Sequence, residues 1–198
     1  MKLTIGSRKS LLAIKQTEIV AELIKRRFPD IEIEIKGIST KGDKILDKSL
    51  KSFGGKGVFT KEIEKALLSG EIDMAVHSAK DMPSVLPEGL EIGAITDRED
   101  ARDVLVTMNG TKLCDMPDRT IIGTGSLRRA EQIKALNPRV IIKDIRGNIH
   151  TRLEKLKGGE YDGIVLAMAG LKRSGISDGY KYEVFDTETL MPACNQGM

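Results

Sequence analysis

Aromatic residues are scarce in this chain, which has no Trp, three Tyr and four Phe. Proteins that grip single-stranded nucleic acid stack bases on aromatic rings, so the composition argues against a nucleic-acid partner. Cysteine is scarce too. Cys114 and Cys194 are the only two, too few for a disulfide framework and in keeping with a reducing compartment. No run of 18 apolar residues exists, which leaves no transmembrane helix and no membrane partner to expect. The opening Met1-Lys2-Leu3-Thr4-Ile5-Gly6 turns polar too early for a secretory signal, so a cytoplasmic protein is expected. No HExxH, CxxC or paired-carboxylate pattern is present, and no metal ligand is assigned. Phe53-Gly54-Gly55-Lys56-Gly57 lacks the Lys-Ser/Thr that completes a phosphate-binding loop. What is present is ordinary for a globular chain. It has 198 residues, 40% hydrophobic and 31% charged, enough for one large or two small domains.

The most informative stretch is Gly123-Thr124-Gly125-Ser126-Leu127-Arg128-Arg129. It follows Thr120-Ile121-Ile122, which reads as a buried strand. It opens a helical run through Leu127, Ala130, Ile133 and Leu136 that stops at Asn137-Pro138. The first backbone N–H groups of a helix have no internal partner, so strand, glycine turn and helix N-terminus together suit an anion. Ser126 is the expected N-cap, which puts Arg128 and Arg129 in the first turn. Cations there oppose the helix dipole by about 0.3–1 kcal/mol each. A bound anion would remove the conflict; a solvated basic turn with nothing bound is the plainer alternative. On the anion reading, replacing either arginine by Leu weakens binding and leaves the fold intact.

The pattern recurs. A strand at Val140–Lys143 leads to Arg146-Gly147-Asn148, with Asn148 capping a helix that runs to Lys157 and carries Arg152. A strand at Gly163–Ala167 leads to Met168–Arg173. Three strand ends thus deliver arginine. From Arg119 to Arg173 there are 12 Lys or Arg against 5 Asp or Glu, a net +7, while the whole chain carries +3 and the remainder −4. A positive field this local points to a polyanionic ligand.

Earlier in the chain, Leu3–Gly6 reads as a strand and Leu11, Ile14, Ile19, Leu23 and Ile24 as the apolar face of a helix ending at Phe28-Pro29. Ile31, Ile33 and Ile35 alternate with charge as a half-buried strand does. Arg8 sits at the first strand-to-helix turn, as a ligand-facing or a surface charge. Residues 39–57 read as a long flexible loop, Phe59–Leu68 as a helix and Ile72–Val76 as a strand. That strand delivers His77-Ser78-Ala79-Lys80-Asp81-Met82-Pro83. His77 reads as structural, and Lys80 beside Asp81 as either a surface pair or a functional one. An aspartate at a strand end in a positive field stays ionised and can stabilise a developing cation. Leu90–Ile95 reads as a strand and 96–103 as the crossing into a second domain, whose sheet begins at Val104–Val106. Met191-Pro192-Ala193 reads as a return to the first domain. The domains expected are 1–97 with 190–198, and 98–189. The chain stops during that return, so a C-terminal portion is expected to be missing.

These segments resemble the porphobilinogen deaminase (hydroxymethylbilane synthase) family. The resemblance rests on Arg8-Lys9-Ser10-Leu11-Leu12-Ala13, Ser39-Thr40-Lys41-Gly42-Asp43, Gly54-Gly55-Lys56-Gly57 with Phe59 and Glu62, and His77 to Pro83. It continues through Asp97 to Asp103, Ile122 to Arg129, Arg146-Gly147-Asn148 with Arg152, and Ala169-Gly170-Leu171 with Arg173. The family joins four porphobilinogen molecules head to tail, releasing ammonia each time, to give hydroxymethylbilane for haem and related tetrapyrroles. The resemblance implies an α/β fold of two domains like type II periplasmic binding proteins, with mixed sheets flanked by helices and an active cleft between them, in a monomer. It implies that Asp81 is catalytic, contacting pyrrole nitrogens. It implies that Arg8, Ser10, Ser78, Lys80, Thr124, Ser126, Arg128, Arg129, Arg146, Gly147 and Asn148 bind a dipyrromethane cofactor. Arg8, Arg146, Arg152 and Arg173 would bind the carboxylates of porphobilinogen.

Two departures stand out. The family usually has Ser where this chain has Gly125, which removes a hydroxyl from the anion site. The family's third domain, which carries the cofactor's cysteine, has no counterpart here; neither Cys114 nor Cys194 matches that cysteine. Cys194 and Asn195 lie where the family has a Pro-Ala-Val-Gly-Gln-Gly type segment. The resemblance therefore implies that these residues alone do not sustain turnover. A two-domain module that binds an anion or oligocarboxylate without chemistry is the competing reading.

Overall fold

The structure, a computed structural model, describes residues 2–40, 42, 60–176 and 180–198. The chain divides into two compact units, 1–97 with Met198, and 98–197. Most of the segment expected to flex between 39 and 57 lies outside the described residues.

In the first unit, strand β1 (Lys2–Arg8) pairs in parallel with β2 (Glu32–Ile38) and with β3 (Met74–Ala75), giving the order β2-β1-β3. The apolar run Leu3–Ile5 continues to Arg8, which closes the strand. Helix α1 (Leu11–Arg27) starts at Ser10, whose Oγ accepts from the Ala13 N–H at 3.4 Å, and ends on three basic residues that suit its negative C-terminus. Its buried stripe is Ala13, Thr17 and Ala21, not the larger residues that the spacing picks out; Leu11, Ile19 and Leu23 are exposed. Small residues four apart let the helix backbone lie close to its neighbours, and Thr17 satisfies its hydroxyl on the Ala13 carbonyl at 2.9 Å. Helix α2 (Lys61–Leu68) buries Ile63 and Ala66 against Ile72. The expected strand at 72–76 is regular only over Met74 and Ala75, with the Asp73 N–H on the Thr4 carbonyl at 2.9 Å and the Val76 N–H on the Gly6 carbonyl at 3.3 Å on either side. The expected strand at 90–95 is absent. Among the described residues that stretch pairs with no strand, and Ile92 and Ile95 are 57% and 63% exposed.

The second unit is a five-stranded sheet of order β6-β5-β7-β4-β8, with β4 (Asp103–Thr107), β5 (Ile121–Gly123), β6 (Ile141–Lys143), β7 (Gly163–Ala167) and β8 (Lys181–Val184). Strands β5, β6 and β7 are parallel, while β4 runs antiparallel between β7 and β8. All five residues of β4 are buried, which fits a central strand covered on both faces. Helices α3 (Leu127–Leu136), α4 (Ile149–Lys157) and α5 (Met168–Ser174) follow β5, β6 and β7. Two apolar cores form around the sheet. One gathers Val104, Val106, Leu153, Ile164 and Leu171, and the other Leu105, Ile122, Ile133, Val165 and Leu190. Leu190 and buried Gln196 thus belong to this unit, and of the segment expected to return to the first domain only Met198 does so.

Candidate functional site

In the first unit, parallel pairing brings the carboxyl ends of β1 and β3 to one edge. There β1 delivers Arg8 and the Ser10 cap, and β3 delivers His77, Ser78 and a short 3-10 turn at Ala79–Asp81. Gln16 Nε2 donates to Ser78 Oγ at 2.9 Å, tying α1 to this turn. The turn is closed by the Asp81 N–H on the Ser78 carbonyl at 2.9 Å, and the Ala79 N–H donates to the Met198 carbonyl at 3.1 Å. Lys80 and Asp81 are exposed. Burial, then the Arg8 cation, pushes the His77 pKa below the ordinary histidine value, while Asp81 and Glu64 pull it back. His77 is therefore held toward its neutral form between the Arg8 cation and the Asp81 carboxylate, a placement that a lone histidine in a sequence does not announce.

In the second unit, Ser126 and Asn148 are the N-caps expected of them. Ser126 Oγ makes a long 3.5 Å contact with the Arg129 N–H, and Asn148 Oδ1 accepts from the Thr151 N–H at 2.9 Å. Thr124 is buried, accepts from the Ser126 N–H at 3.2 Å and donates its own N–H to the Lys143 carbonyl at 3.1 Å.

The two arginines of α3 differ from the expectation. Each already has a partner within the chain. Both pair with Asp103, a carboxylate with no exposed surface. Arg128 Nη2 donates to Oδ2 at 2.6 Å and Arg129 Nη2 to Oδ1 at 2.7 Å, and Gln196 Nε2 adds a bond to Oδ1 at 2.8 Å. Arg129 is only 7% exposed, and its Nη1 donates to the Val165 carbonyl. Arg128 Nη1 donates to the Met191 carbonyl. Burial alone would raise the Asp103 pKa, but the charge and hydrogen bonds of Arg129, with those of Gln196 and Arg128, hold it below the usual aspartate value. An internal carboxylate thus answers the conflict with the helix dipole. Asp103 hides in the sequence inside a dense charge run. It reaches α3 because β4 is antiparallel, which sets its first residue opposite Ala167, at the carboxyl end of β7.

Arg146 follows β6 and donates from Nε to Asp144 Oδ2 at 2.8 Å. Gly147 has φ +109, and a Cβ there would collide with Thr151, so only glycine suits this turn. Arg152 Nε donates to the Gly147 carbonyl at 2.8 Å. Burial, then the neighbouring cations Arg129 and Arg146, lowers the Arg152 pKa. The structure therefore gathers Arg128, Arg129, Arg146 and Arg152 around two carboxylates, Asp103 and Asp144, an excess of two positive charges. Arg129 Nε is buried without a hydrogen-bond partner. Such a cluster can hold carboxylates through charge-assisted bonds. Arg173 stands apart. It lies in the last turn of α5 rather than at a strand end, and its Nη2 donates to the Gly197 carbonyl at 2.6 Å. Cys114 and Cys194 are both exposed and unpaired. Among the described residues no cluster of His, Cys, Asp or Glu has the makings of a metal site, and no helix is long and apolar enough to cross a membrane.

Residues 3–198 match the family model for porphobilinogen deaminase, dipyromethane cofactor binding domain. The porphobilinogen deaminase of Staphylococcus carnosus is 53% identical over 196 residues, covering 99% of this chain and 64% of that protein. That of Geobacillus kaustophilus is 53% identical over 195 residues, covering 98% and 63%. The chain thus spans a little under two thirds of the length of these curated relatives. Among solved structures, substrate binding domain 2 of Lactococcus lactis GlnP in its open conformation is similar, with a TM-score of 0.51 at 13% identity over 92% of this chain and 75% of that one. The likeness is one of fold, the α/β architecture of type II periplasmic binding proteins.

Proposed function

The chain belongs to the porphobilinogen deaminase family, and from that premise we propose that it supplies the cofactor-binding and catalytic part of an enzyme joining four porphobilinogen molecules into hydroxymethylbilane. One ammonia leaves at each coupling. The observation that carries this reading is the family match along the whole chain, together with an arginine cluster holding two more positive charges than its own carboxylates neutralise. Asp81 takes the catalytic role. Its carboxylate is exposed on the turn after β3, beside Lys80, free to accept a hydrogen bond from a pyrrole N–H and to stabilise positive charge that develops as ammonia leaves.

A dipyrromethane, when bound, supplies a fixed anchor for the growing chain of rings. Arg8, Ser10, Ser78, Lys80, Thr124, Ser126, Arg128, Arg129, Arg146, Gly147 and Asn148 are the residues assigned to hold it. Arg8, Arg146, Arg152 and Arg173 are assigned to the substrate carboxylates. Each charge-assisted bond of this kind contributes about 1.5–3 kcal/mol, which suffices for reversible binding of a polyanion. The reading places the protein in the cytoplasm as a monomer, and exposed unpaired thiols at Cys114 and Cys194 suit a reducing compartment. Calorimetric titration should show tighter binding of porphobilinogen than of sulfate; equal affinities would leave only an anion-binding module. In the full-length protein, Asp81→Ala should abolish ammonia release with the fold intact, and Asp81→Glu should keep a little. Near-normal turnover by the alanine variant would remove Asp81 from the mechanism.

A further inference from the structure

Gly125 lies between β5 and the Ser126 cap, and its lack of a side chain has a neighbour waiting for it. A Cβ at this position would stand 2.9 Å from Asp144 Oδ1, 3.2 Å from the Ile145 carbonyl and 3.6 Å from Arg146 Cζ. The first distance is shorter than carbon and oxygen tolerate without movement. The part able to move is the Asp144 carboxylate, the end of a flexible side chain. That carboxylate holds Arg146 in one manner only, through Nε. Among the described residues the two terminal nitrogens of Arg146 have no partner. A guanidinium gripped at Nε keeps its end-on pair of donors, the fork that meets a carboxylate with two parallel bonds.

We propose that Gly125 and Asp144 act as a positioning pair: the missing side chain admits the Asp144 carboxylate, which fixes the Arg146 guanidinium and presents its terminal nitrogens to a ligand carboxylate. This rests on the reading of Arg146 as a carboxylate ligand. It assigns Gly125 a purpose opposite to a lost hydroxyl. A serine there would displace Asp144 and leave Arg146 to find its own orientation. Asp144 is not a structural keystone, since more than half of its side chain is exposed. Its removal should therefore spare the fold and act on Arg146 through the lost bond, and on Arg152 only through its charge.

Two measurements on the 198-residue chain test the pair. The Arg146 Nε–H resonance, assigned by its loss in Arg146→Lys, should exchange slowly in the wild type and about tenfold faster in Gly125→Ser and in Asp144→Ala, as loss of one hydrogen bond predicts. Citrate, a tricarboxylate probe, should bind about tenfold more weakly to each variant, and the double variant should bind no more weakly than Asp144→Ala alone. Asp144→Asn and Gly125→Ala serve as second variants on the same readouts. Citrate binding to Asp144→Ala as tight as, or tighter than, to the wild type would overturn the proposal by making Asp144 a competitor. A further loss from Gly125→Ser in the Asp144→Ala background would overturn it too, by routing the effect through the Ile145 backbone, and so would a wild-type chain that binds no citrate. Citrate binding with no preference for porphobilinogen over sulfate would sink the proposed function and leave the pair standing.

Discussion

Truncating Asp103 to alanine should cost the second unit a large part of its stability. The carboxylate accepts from Arg128, Arg129 and Gln196 and has no exposed surface. Its loss leaves Arg129 buried and uncompensated, which costs about 3–5 kcal/mol when a buried pair is broken from one side. Arg128 is partly exposed and adds little, on the order of 0–1 kcal/mol. For a unit of roughly 100 residues the melting temperature should fall on the order of 15 °C, read by circular dichroism. Asp103→Leu combined with Arg129→Met should recover much of the loss, because apolar groups need no partner. Arg129→Leu should destabilise far more than Arg128→Leu, against the expectation that either arginine could be replaced without harm to the fold. The pH dependence has a definite sign. The folded pKa of Asp103 lies below its unfolded value near 3.9, so the unfolded chain takes up the proton first as pH falls. The stability is whole above about pH 4 and is lost as pH falls through the folded value. A loss under about 1 kcal/mol for Asp103→Ala would refute the claim that this carboxylate offsets the two cations.

Two further outcomes are expected. The folded pKa of His77 is lowered by burial and then by Arg8, so below about pH 6.5 the unfolded chain binds a proton that the folded chain refuses, and stability falls with pH in that range. His77→Gln should flatten that slope between pH 7.5 and pH 5.5 in thermal melts, and an unchanged slope would exclude His77 as its source. Asn148→Ala removes the acceptor for the Thr151 N–H and hydroxyl and should cost about 1 kcal/mol in urea unfolding, with a change near zero showing that water caps α4 as well.

The local signals in the sequence carried far where the physics is local. Ser126 and Asn148 mark helix starts because a cap needs only a few neighbouring atoms, and the stop at Asn137-Pro138 follows from proline's missing N–H. The partner of Arg128 and Arg129 was not legible, because Asp103 reaches them through an antiparallel pairing 64 residues away in register with Ala167. Helix α1 misled for another reason. Leu11, Ile19 and Leu23 satisfy the helical period approximately, but close approach selects the stripe with the smallest side chains, Ala13, Thr17 and Ala21. At 90–95 alternation was present without a partner strand, and alternation alone does not bury Ile92 or Ile95.

The insertion of β4 between β7 and β8 also fixes when the second unit can form during synthesis. Val104-Leu105-Val106 leaves the ribosome well before either neighbour, since β7 begins at Gly163 and β8 ends at Val184. At about 5–20 residues per second the nascent chain waits several seconds with a strand unpaired that is buried at every residue in the fold. Closing so long a loop adds little to the equilibrium cost, which grows only with the logarithm of length, but it slows the search for the native pairing. Strands β5 and β6 can pair before that, because each lies next to the other in sequence. Folding of the unit from the ribosome is therefore expected to run from the middle outward, with Asp103 and its two arginines joined near the end.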